Sequence, residues 1–302
     1  MDQILYWNAV ALESDRKAHT EIEPVEPRPR GPIGRSRALA IVHLAMHDAI
    51  FSIFGAPHGT WLTAPPVAAA GALPDAAIAV AAHTTLSALY PAQTTRLDKA
   101  LRTAGLRGPG TRSGGSQGQT VARAILKDRA GDPGPGCFAV TKRYTADPPP
   151  RAGDPSSLFH ACDGSGQLGS PSLYNLITRE FAVTQRNDVE QNARLFALVN
   201  TALADAAILC QDDPSYPSAH AAFGGAAFQT IRRYYDVAAE GPDTLTDGLG
   251  FVSGELDCGA TAGRGRADLS QHIGGVRLGR DVADDLWAAG LRQDQAAGPR
   301  LP

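Results

Sequence analysis

The sequence predicts an all-α protein, built as a helical bundle, and three observations lead to this prediction. Long segments such as residues 34–54 and 189–210 carry apolar side chains at helical spacing. No segment shows the sustained alternation of apolar and polar residues that is typical of a half-buried strand. Proline-rich and glycine-rich stretches separate the apolar segments. We therefore expect one helical domain spanning residues 1–302.

The predicted helices follow one another along the chain. The first, residues 3–19, contains Trp7, and a proline-rich link ends it. Apolar helices follow at 34–54 and 75–90, and a glycine-rich break, RGPGTRSGGSQG, precedes a helix near 119–129. The middle segment, about residues 132–172, is rich in Gly, Pro and Ser and is interpreted as loop. Asn187 with Glu190 resembles a capping box that opens the helix from Val189, and two more helices are predicted near 218–235 and 266–291.

Composition limits the possible partners. The formal net charge is −3, so the basic excess that drives nucleic-acid binding is absent. The cysteines are far apart and form no C-x-x-C pair, so neither a zinc site nor a disulfide scaffold is indicated. We see no signal peptide and no apolar run approaching the roughly 18 residues of a membrane span, and we expect a cytoplasmic protein without a membrane partner. The cysteines are Cys137, Cys162, Cys210 and Cys258.

The start of the helix predicted at 218–235 is the best candidate for a functional site. Prolines precede Ser218, a natural N-cap, and His220 then falls in the first helical turn. Free backbone N–H groups and a partial positive charge at this position suit phosphate or a similar oxyanion. A serine hydroxyl and a histidine there can donate to the anion or move a proton. The alternative is a capped helix whose histidine has no function.

Four segments carry a resemblance to a known family. PSYPSAHAAFGGAAFQTIRRYY resembles the second signature, Pro-Ser-Gly-His, of the vanadium-dependent haloperoxidases and their relatives, the type 2 phosphatidic acid phosphatases. LYWNAVALESDRKAHT, RSRALAIVHLAMHDAI and NARLFALVNTALADAAI are similar to stretches of the bacterial haloperoxidase branch. The resemblance covers most of the chain and implies the helical bundle of the haloperoxidase and acid phosphatase fold.

The resemblance also implies an oxyanion site in three parts, of which the first is absent. A Lys, six residues and Arg-Pro should follow ALADAAI, but the chain runs directly into DPSYPSAH, so this segment is interpreted as deleted. The second part is kept as Ser218 and His220, with Ala219 in place of glycine. Backbone donation survives this exchange unless the position needs a positive φ.

The third part is Ser-Arg, five residues, His, three residues and Asp, in which the histidine binds vanadate or is phosphorylated. The matching stretch, SQHIGGVRLGRD, gives Gln271 for the arginine and Arg277 for the histidine, and it keeps Asp281. On a helix, His272 points about 140° away from Arg277, so we expect no substitution by it. Arg277 has an alternative structural role, because it can form an i,i+4 salt bridge with Asp281.

Other histidines and the end of the His220 helix are assigned structural roles. His43 and His47 are four residues apart with Asp48 beside them, which is possible metal spacing. Because their helix is apolar throughout, we interpret both as hydrogen-bonded core histidines and predict no metal site. The residues at the far end of the His220 helix are predicted to form a surface or an interface. They are Arg232, Arg233, Tyr234 and Tyr235.

Three functions remain open. The first is a repurposed enzyme that isomerises, rearranges or cyclises a secondary metabolite by acid–base chemistry, with an anionic or carbonyl small molecule as substrate. The second is a binding or assembly subunit, with a homodimer as one form, and the third is a haloperoxidase or phosphatase with a rebuilt site. No cofactor is expected, and vanadate only in the third case. In the first, His220 is catalytic, Ser218, Ala219, Gln271 and Arg277 bind the anion or substrate, and Asp281 orients.

Overall fold

All regular structure in the described residues is helical, which confirms the predicted fold class. The computed structural model describes residues 1–20, 29, 31–55, 59–130, 170–209, 219–236 and 266–291. Within these ranges there are nine α-helices, one short 3-10 turn at Pro91–Gln93 and no strand. The helices are α1 Gln3–Thr20, α2 Gly31–Phe54, α3 Pro74–Leu89, α4 Thr94–Thr103, α5 Thr111–Ala130, α6 Ser170–Thr184, α7 Val189–Leu209, α8 Ala219–Tyr235 and α9 Arg266–Ala289.

Two apolar helices, α2 and α7, form the centre of the bundle. α2 packs along α3, α5 and α7, and α7 packs in turn along α8 and α9. Residues 38–51 of α2 and 195–208 of α7 are all buried, on every side of each helix. A helix that is apolar all round is expected in the middle of a bundle, where other helices cover every face.

The same two helices are long and apolar enough to cross a membrane by length and composition. The segments are Ile33–Phe54 and Val189–Leu209, so the expectation that no apolar run reaches this length was wrong. In the bundle, 78% of the most apolar stretch of the first and 89% of that of the second are buried against other helices. Their composition is therefore accounted for by their central position, since the core helix of a globular bundle has the same character.

α5 begins earlier than predicted, because the glycine-rich stretch is helical. The helix expected near 119–129 begins at Thr111. A Cβ atom added to Gly114 would lie 2.2 Å from the Leu73 carbonyl oxygen, and one added to Gly118 would lie 2.1 Å from that of Ala77. The glycines thus let the backbones of α3 and α5 touch, and this gain outweighs their low helix propensity.

Two helices, α4 and α6, were not predicted. α4 is short and Leu97 is its only buried residue, so its apolar pattern is weak. α6 begins at Ser170, with Pro171 in its first turn, where the missing N–H costs nothing. The last three residues of the segment interpreted as loop, 170–172, are therefore helical, and residues 131–169 lie outside the described residues.

The capping box at the start of α7 lies one residue later than predicted. The Asp188 N–H donates to Gln191 Oε1 over 2.9 Å, and the Gln191 N–H donates to Asp188 Oδ1 over 2.8 Å. These reciprocal bonds satisfy two N–H groups at the helix start. Asn187, expected as the cap, instead donates through Nδ2 to the Tyr235 hydroxyl over 2.9 Å, which links α7 to the end of α8.

A buried carboxylate joins four parts of the bundle. The Asp15 carboxylate of α1 accepts hydrogen bonds from the Arg35 guanidinium of α2, at 2.7 Å from Nη2 and 3.0 Å from Nε. It also accepts from Ser172 of α6 over 3.1 Å and from the Tyr90 hydroxyl over 3.5 Å. The side chains of Asp15 and Arg35 are 0% and 7% exposed, so each charge depends on the other.

Candidate functional site

The two helices that carry the candidate site residues lie side by side and run in the same direction. Gly225 of α8 lies against the backbone of Val276 in α9. Further along both helices, Gln229 Nε2 and Arg233 Nε each donate to Asp284 Oδ1 over 2.7 Å. Residue numbers therefore rise together along the pair, and both helices begin at the same end of it. The helix that carries Arg277 thus packs along the helix that carries His220.

The start of α8 falls where the sequence predicts it. The helix begins at Ala219, so His220 lies in its first turn and Ser218 directly precedes it. Ser218 lies outside the described residues, as do the side chains of Ala219 and His220 and the connection from α7, which ends at Leu209. The first N–H groups of any helix lack partners within that helix, so this turn has the capacity to bind an anion.

Gln271 and Arg277 lie at different levels of the helix pair. Gly225 contacts Val276, and Gly279 contacts Ala222 and Ala226, so residues 276–279 of α9 face residues 222–226 of α8, just after His220. The side chain of Gln271 lies outside the described residues. Arg277 follows six residues later, about 9 Å along the axis. Arg277 and Asp281 are both exposed and are one turn apart. Their predicted roles, anion binding and orientation, stay predictions, and so does their mutual salt bridge.

The described lysines lie on helices other than the candidate pair. Lys17, Lys99 and Lys127 belong to α1, α4 and α5, none of which packs extensively along α8 or α9. At the register position of the ligand histidine the chain has Arg277. The described lysines therefore lie on helices away from the start of α8, and the loss of the vanadate site stays a prediction.

His43 is a core histidine, as predicted. Its ring is 1% exposed, with Nδ1 2.7 Å from the Leu39 carbonyl oxygen and Nε2 3.1 Å from Asn8 Nδ2. A neutral ring with the proton on Nδ1 satisfies both contacts, because the amide then donates to Nε2. Burial lowers the pKa of His43 to about 4, although the bond to Leu39 opposes the shift. Asn8 also donates to Asn175, which donates to Asn200, so neutral amides continue from the ring.

His47 and Asp48 of α2 are hydrogen-bonded to each other, and Asp48 holds the loop that follows α2. His47 Nδ1 lies 2.9 Å from Asp48 Oδ1, and both side chains are completely buried. The Asp48 carboxylate also accepts from the N–H groups of Trp61 and Leu62, over 2.9 and 2.8 Å. These bonds tie the chain before α3 to α2, as the predicted structural role requires. Among the described residues, no group of three or more His, Cys, Asp or Glu side chains could hold a metal ion.

The last four residues of α8 lie at the far end of the helix pair from His220. Arg233 is half-exposed and pairs with Asp284, and the Tyr234 hydroxyl donates to the Gln191 carbonyl over 2.9 Å. Arg232 departs from the predicted surface position, since only 2% of it is exposed. Its guanidinium turns back along its own helix and donates through Nε and Nη2 to Gln229 Oε1.

Comparisons with known proteins agree with the resemblance seen in the sequence. The family model described as the vanadium chloroperoxidase N-terminal domain matches residues 1–104, the part of the chain from α1 to α4. A vanadium chloroperoxidase from Curvularia inaequalis is 27% identical over an alignment of 402 residues that covers 77% of this chain. The chain spans 65% of the length of that relative.

The fold has a solved counterpart. A bacterial vanadium-dependent iodoperoxidase superposes with a TM-score of 0.60 at 16% identity, covering 93% of this chain and 95% of that one. This likeness concerns the fold, and the similarity to the chloroperoxidase is a likeness in sequence. The N-terminal third of the chain thus matches the vanadium chloroperoxidase N-terminal domain, and most of the chain is similar to a vanadium haloperoxidase in sequence and in fold.

Proposed function

We propose that this haloperoxidase relative no longer oxidises halides and instead performs acid–base chemistry without redox change on a small anionic or carbonyl compound. His220 moves the proton, and the N–H groups at the start of α8 hold the developing negative charge. The reaction class is isomerisation, rearrangement or cyclisation of a secondary metabolite through an enolate or similar anion. The reaction needs no resident cofactor.

One observation carries the proposal. α8 begins at Ala219, so the only histidine of α8 stands in the turn whose N–H groups lack helical partners. A neutral imidazole next to such an anion hole can take a proton from carbon and return it near neutral pH. Enolisation needs these two elements and a bound substrate, whereas it needs none of the cations that the family uses to hold a multiply charged oxyanion.

The absence of the Lys and Arg residues that bind vanadate in the family argues against retained halide oxidation. The sequence supplies no Lys-x6-Arg-Pro segment, and Arg277 stands where the ligand histidine is expected. Charge-assisted contacts contribute most of the binding of a multiply charged oxyanion, so their loss weakens vanadate binding steeply. We expect no halogenation of a monochlorodimedone-type acceptor by the purified protein with peroxide, bromide or chloride and excess vanadate. Halogenation above a no-protein control would contradict the proposal.

Proton transfer can be measured without knowing the substrate. We would follow the exchange of α-protons for deuterium by ¹H NMR, over a panel of β-keto acids and aryl ketones in D₂O. The wild type should accelerate exchange in the compounds that bind, and His220→Ala should abolish it while the circular dichroism spectrum stays helical. The matched control is His83→Ala, in α3, where the ring binds Asp98 over 2.8 Å. Equal activity in His220→Ala and the wild type would refute the role of His220.

The proposed role of Arg277 in anion binding is tested by comparing the affinities for an anionic and a neutral ligand. Arg277→Ala should weaken anionic ligands by about tenfold or more, the usual range for one charge-assisted hydrogen bond, and leave neutral ligands nearly unaffected. Inorganic phosphate and a neutral ketone from the active panel provide the two measurements. Equal effects on both would show that Arg277 does not contact the anion.

A second candidate function is a non-catalytic assembly subunit, favoured by an apolar face on α6. Leu173, Leu176 and Val183 lie on this helix with 40%, 36% and 55% of their surfaces exposed. Apolar groups aligned along one helix often mark a protein interface. A homodimer through this face would appear in sedimentation equilibrium at micromolar concentration and dissociate in Leu176→Asp. A wild type that stays monomeric would exclude this candidate.

A further inference from the structure

The contact between α8 and α9 is made by backbone atoms at two glycines. A Cβ atom on Gly225 would lie 2.3 Å from the Val276 carbonyl oxygen. One on Gly279 would lie 2.0 Å from the Ala222 carbonyl oxygen and 2.6 Å from the Ala226 nitrogen. Neither glycine has a positive φ, so the backbone conformation would accept alanine. Glycine is required here by the distance between the two helices alone.

Both contacts lie next to candidate site residues. Val276 shares its peptide group with Arg277, and Ala222 follows His220 by two residues. At the other end of the same helix pair, polar side chains form the contact, through Asp284 with Gln229 and Arg233. The glycine contacts therefore fix the pair at its site end, and the polar contacts fix it at its far end.

The helices cannot keep this spacing with a methyl group at the contact. To move a Cβ on Gly279 from 2.0 Å to even 3.0 Å from the opposing carbonyl, the backbones must separate by about 1 Å. The opposing atoms belong to helical backbone, so no side-chain rotation can relieve the clash. A displacement of about 1 Å in the groups that surround a substrate can cost about a hundredfold in rate.

We infer that Gly225 and Gly279 are positioning residues, which set the distance between the helix start carrying His220 and the segment of α9 carrying Gln271 and Arg277. This inference rests on the proposed function, since it concerns the same site. The glycines do not contact the ligand. They act by allowing the backbones of α8 and α9 to touch about one turn from the groups that contact the ligand.

The bundle contains a matched control for this role. Gly118 of α5 makes the same kind of contact with α3, with an added Cβ 2.1 Å from the Ala77 carbonyl oxygen. No candidate site residue lies on α3 or α5. Gly118→Ala and Gly279→Ala should therefore lower the melting temperature by similar amounts, and the effect on the site should separate them.

The experiment combines two measurements on Gly225→Ala, Gly279→Ala and Gly118→Ala. The first is the affinity for inorganic phosphate by ³¹P NMR titration, and the second is the titration midpoint of the His220 ring, followed by NMR with ¹³C-labelled histidine. Both α8/α9 variants should weaken phosphate binding by at least about tenfold and shift the His220 midpoint. Gly118→Ala should change neither. Equal changes in all three variants, or none in Gly225→Ala and Gly279→Ala, would overturn the inference.

Two further readouts separate this inference from the proposed function. If wild-type protein binds no phosphate, the anion site of the proposed function fails, while the His220 midpoint still tests positioning without a ligand. If the α8/α9 variants do not fold, hydrogen exchange of the wild type decides. Phosphate should then slow exchange of amides 222–226 and 276–279 and leave those around Gly118 unchanged. Unchanged exchange at α8 and α9 in phosphate-bound protein would overturn the inference.

Discussion

Acid should destabilise the fold through one buried histidine. The pKa of His43 is about 4 in the folded protein and 6.5 for a free side chain. The unfolded chain therefore binds a proton first as the pH falls, and stability is lost between about pH 6.5 and 4 and is fully present above that window. A difference of about 2.5 units corresponds to about 3 kcal/mol in the free energy of unfolding. The physical cause is the desolvation of a ring between Asn8 and the stacked Phe196, whose centroid is 5.6 Å away.

The assay compares urea unfolding of the wild type and His43→Gln from pH 7.5 to pH 4. Carboxylates that titrate in this window affect both proteins alike, so the difference between the curves isolates His43. We expect that difference to shrink by about 3 kcal/mol towards acid. His83→Gln is the control, because His83 is partly exposed and its Nε2 lies 2.8 Å from Asp98 Oδ1. Parallel curves for the wild type and His43→Gln would refute the reasoning.

Two further predictions concern charges and caps. Arg35→Met should cost about 3–5 kcal/mol in unfolding free energy, since it leaves Asp15 charged and buried. The control is Arg16→Met, which removes one partner of a half-exposed pair on α1 and should cost at most about 1 kcal/mol. Similar losses in thermal unfolding would contradict this. Gln191→Ala should destabilise by roughly 1 kcal/mol through the loss of the capping box, and Glu190→Ala by only a few tenths. If urea unfolding showed the larger loss for Glu190→Ala, the capping box predicted from the sequence, Asn187 with Glu190, would be supported instead.

The sequence predicts the helices of this bundle best where burial alone forms them. α2, α7 and α8 carry long apolar patterns, and each was predicted within a few residues of its observed bounds. The start of α5 was predicted too late because glycines such as Gly114 and Gly118 have low helix propensity. The close contact with α3 that these glycines allow depends on tertiary structure, so the local sequence does not reveal it. Arg232 was misplaced for a related reason, since an arginine can be buried once a neighbouring glutamine binds it.

In the candidate site too, the features set by local sequence were predictable and those set by tertiary packing were not. The position of His220 in a first helical turn followed from the proline and serine before it, which are local signals. The common direction of α8 and α9 could not be predicted, because no local pattern encodes how two distant segments pair. Gly225 and Gly279 were also missed as site-related residues, although each stands in an apolar helical pattern where glycine is unfavourable.

The positions where the sequence departs from the haloperoxidase signatures are separate from the polar groups that hold the bundle together. In the described residues, the buried polar contacts that join α1, α2, α6 and α7 centre on Asp15, Asn175 and His43, and none of them is a signature position. The signature positions lie instead at the starts of α8 and α9 and along the exposed side of α9. Residues at helix starts and on exposed faces can be exchanged at little cost in packing, whereas core polar groups cannot. A retained fold is therefore no evidence for a retained reaction, and the chemistry has to be judged from His220 and the residues around it.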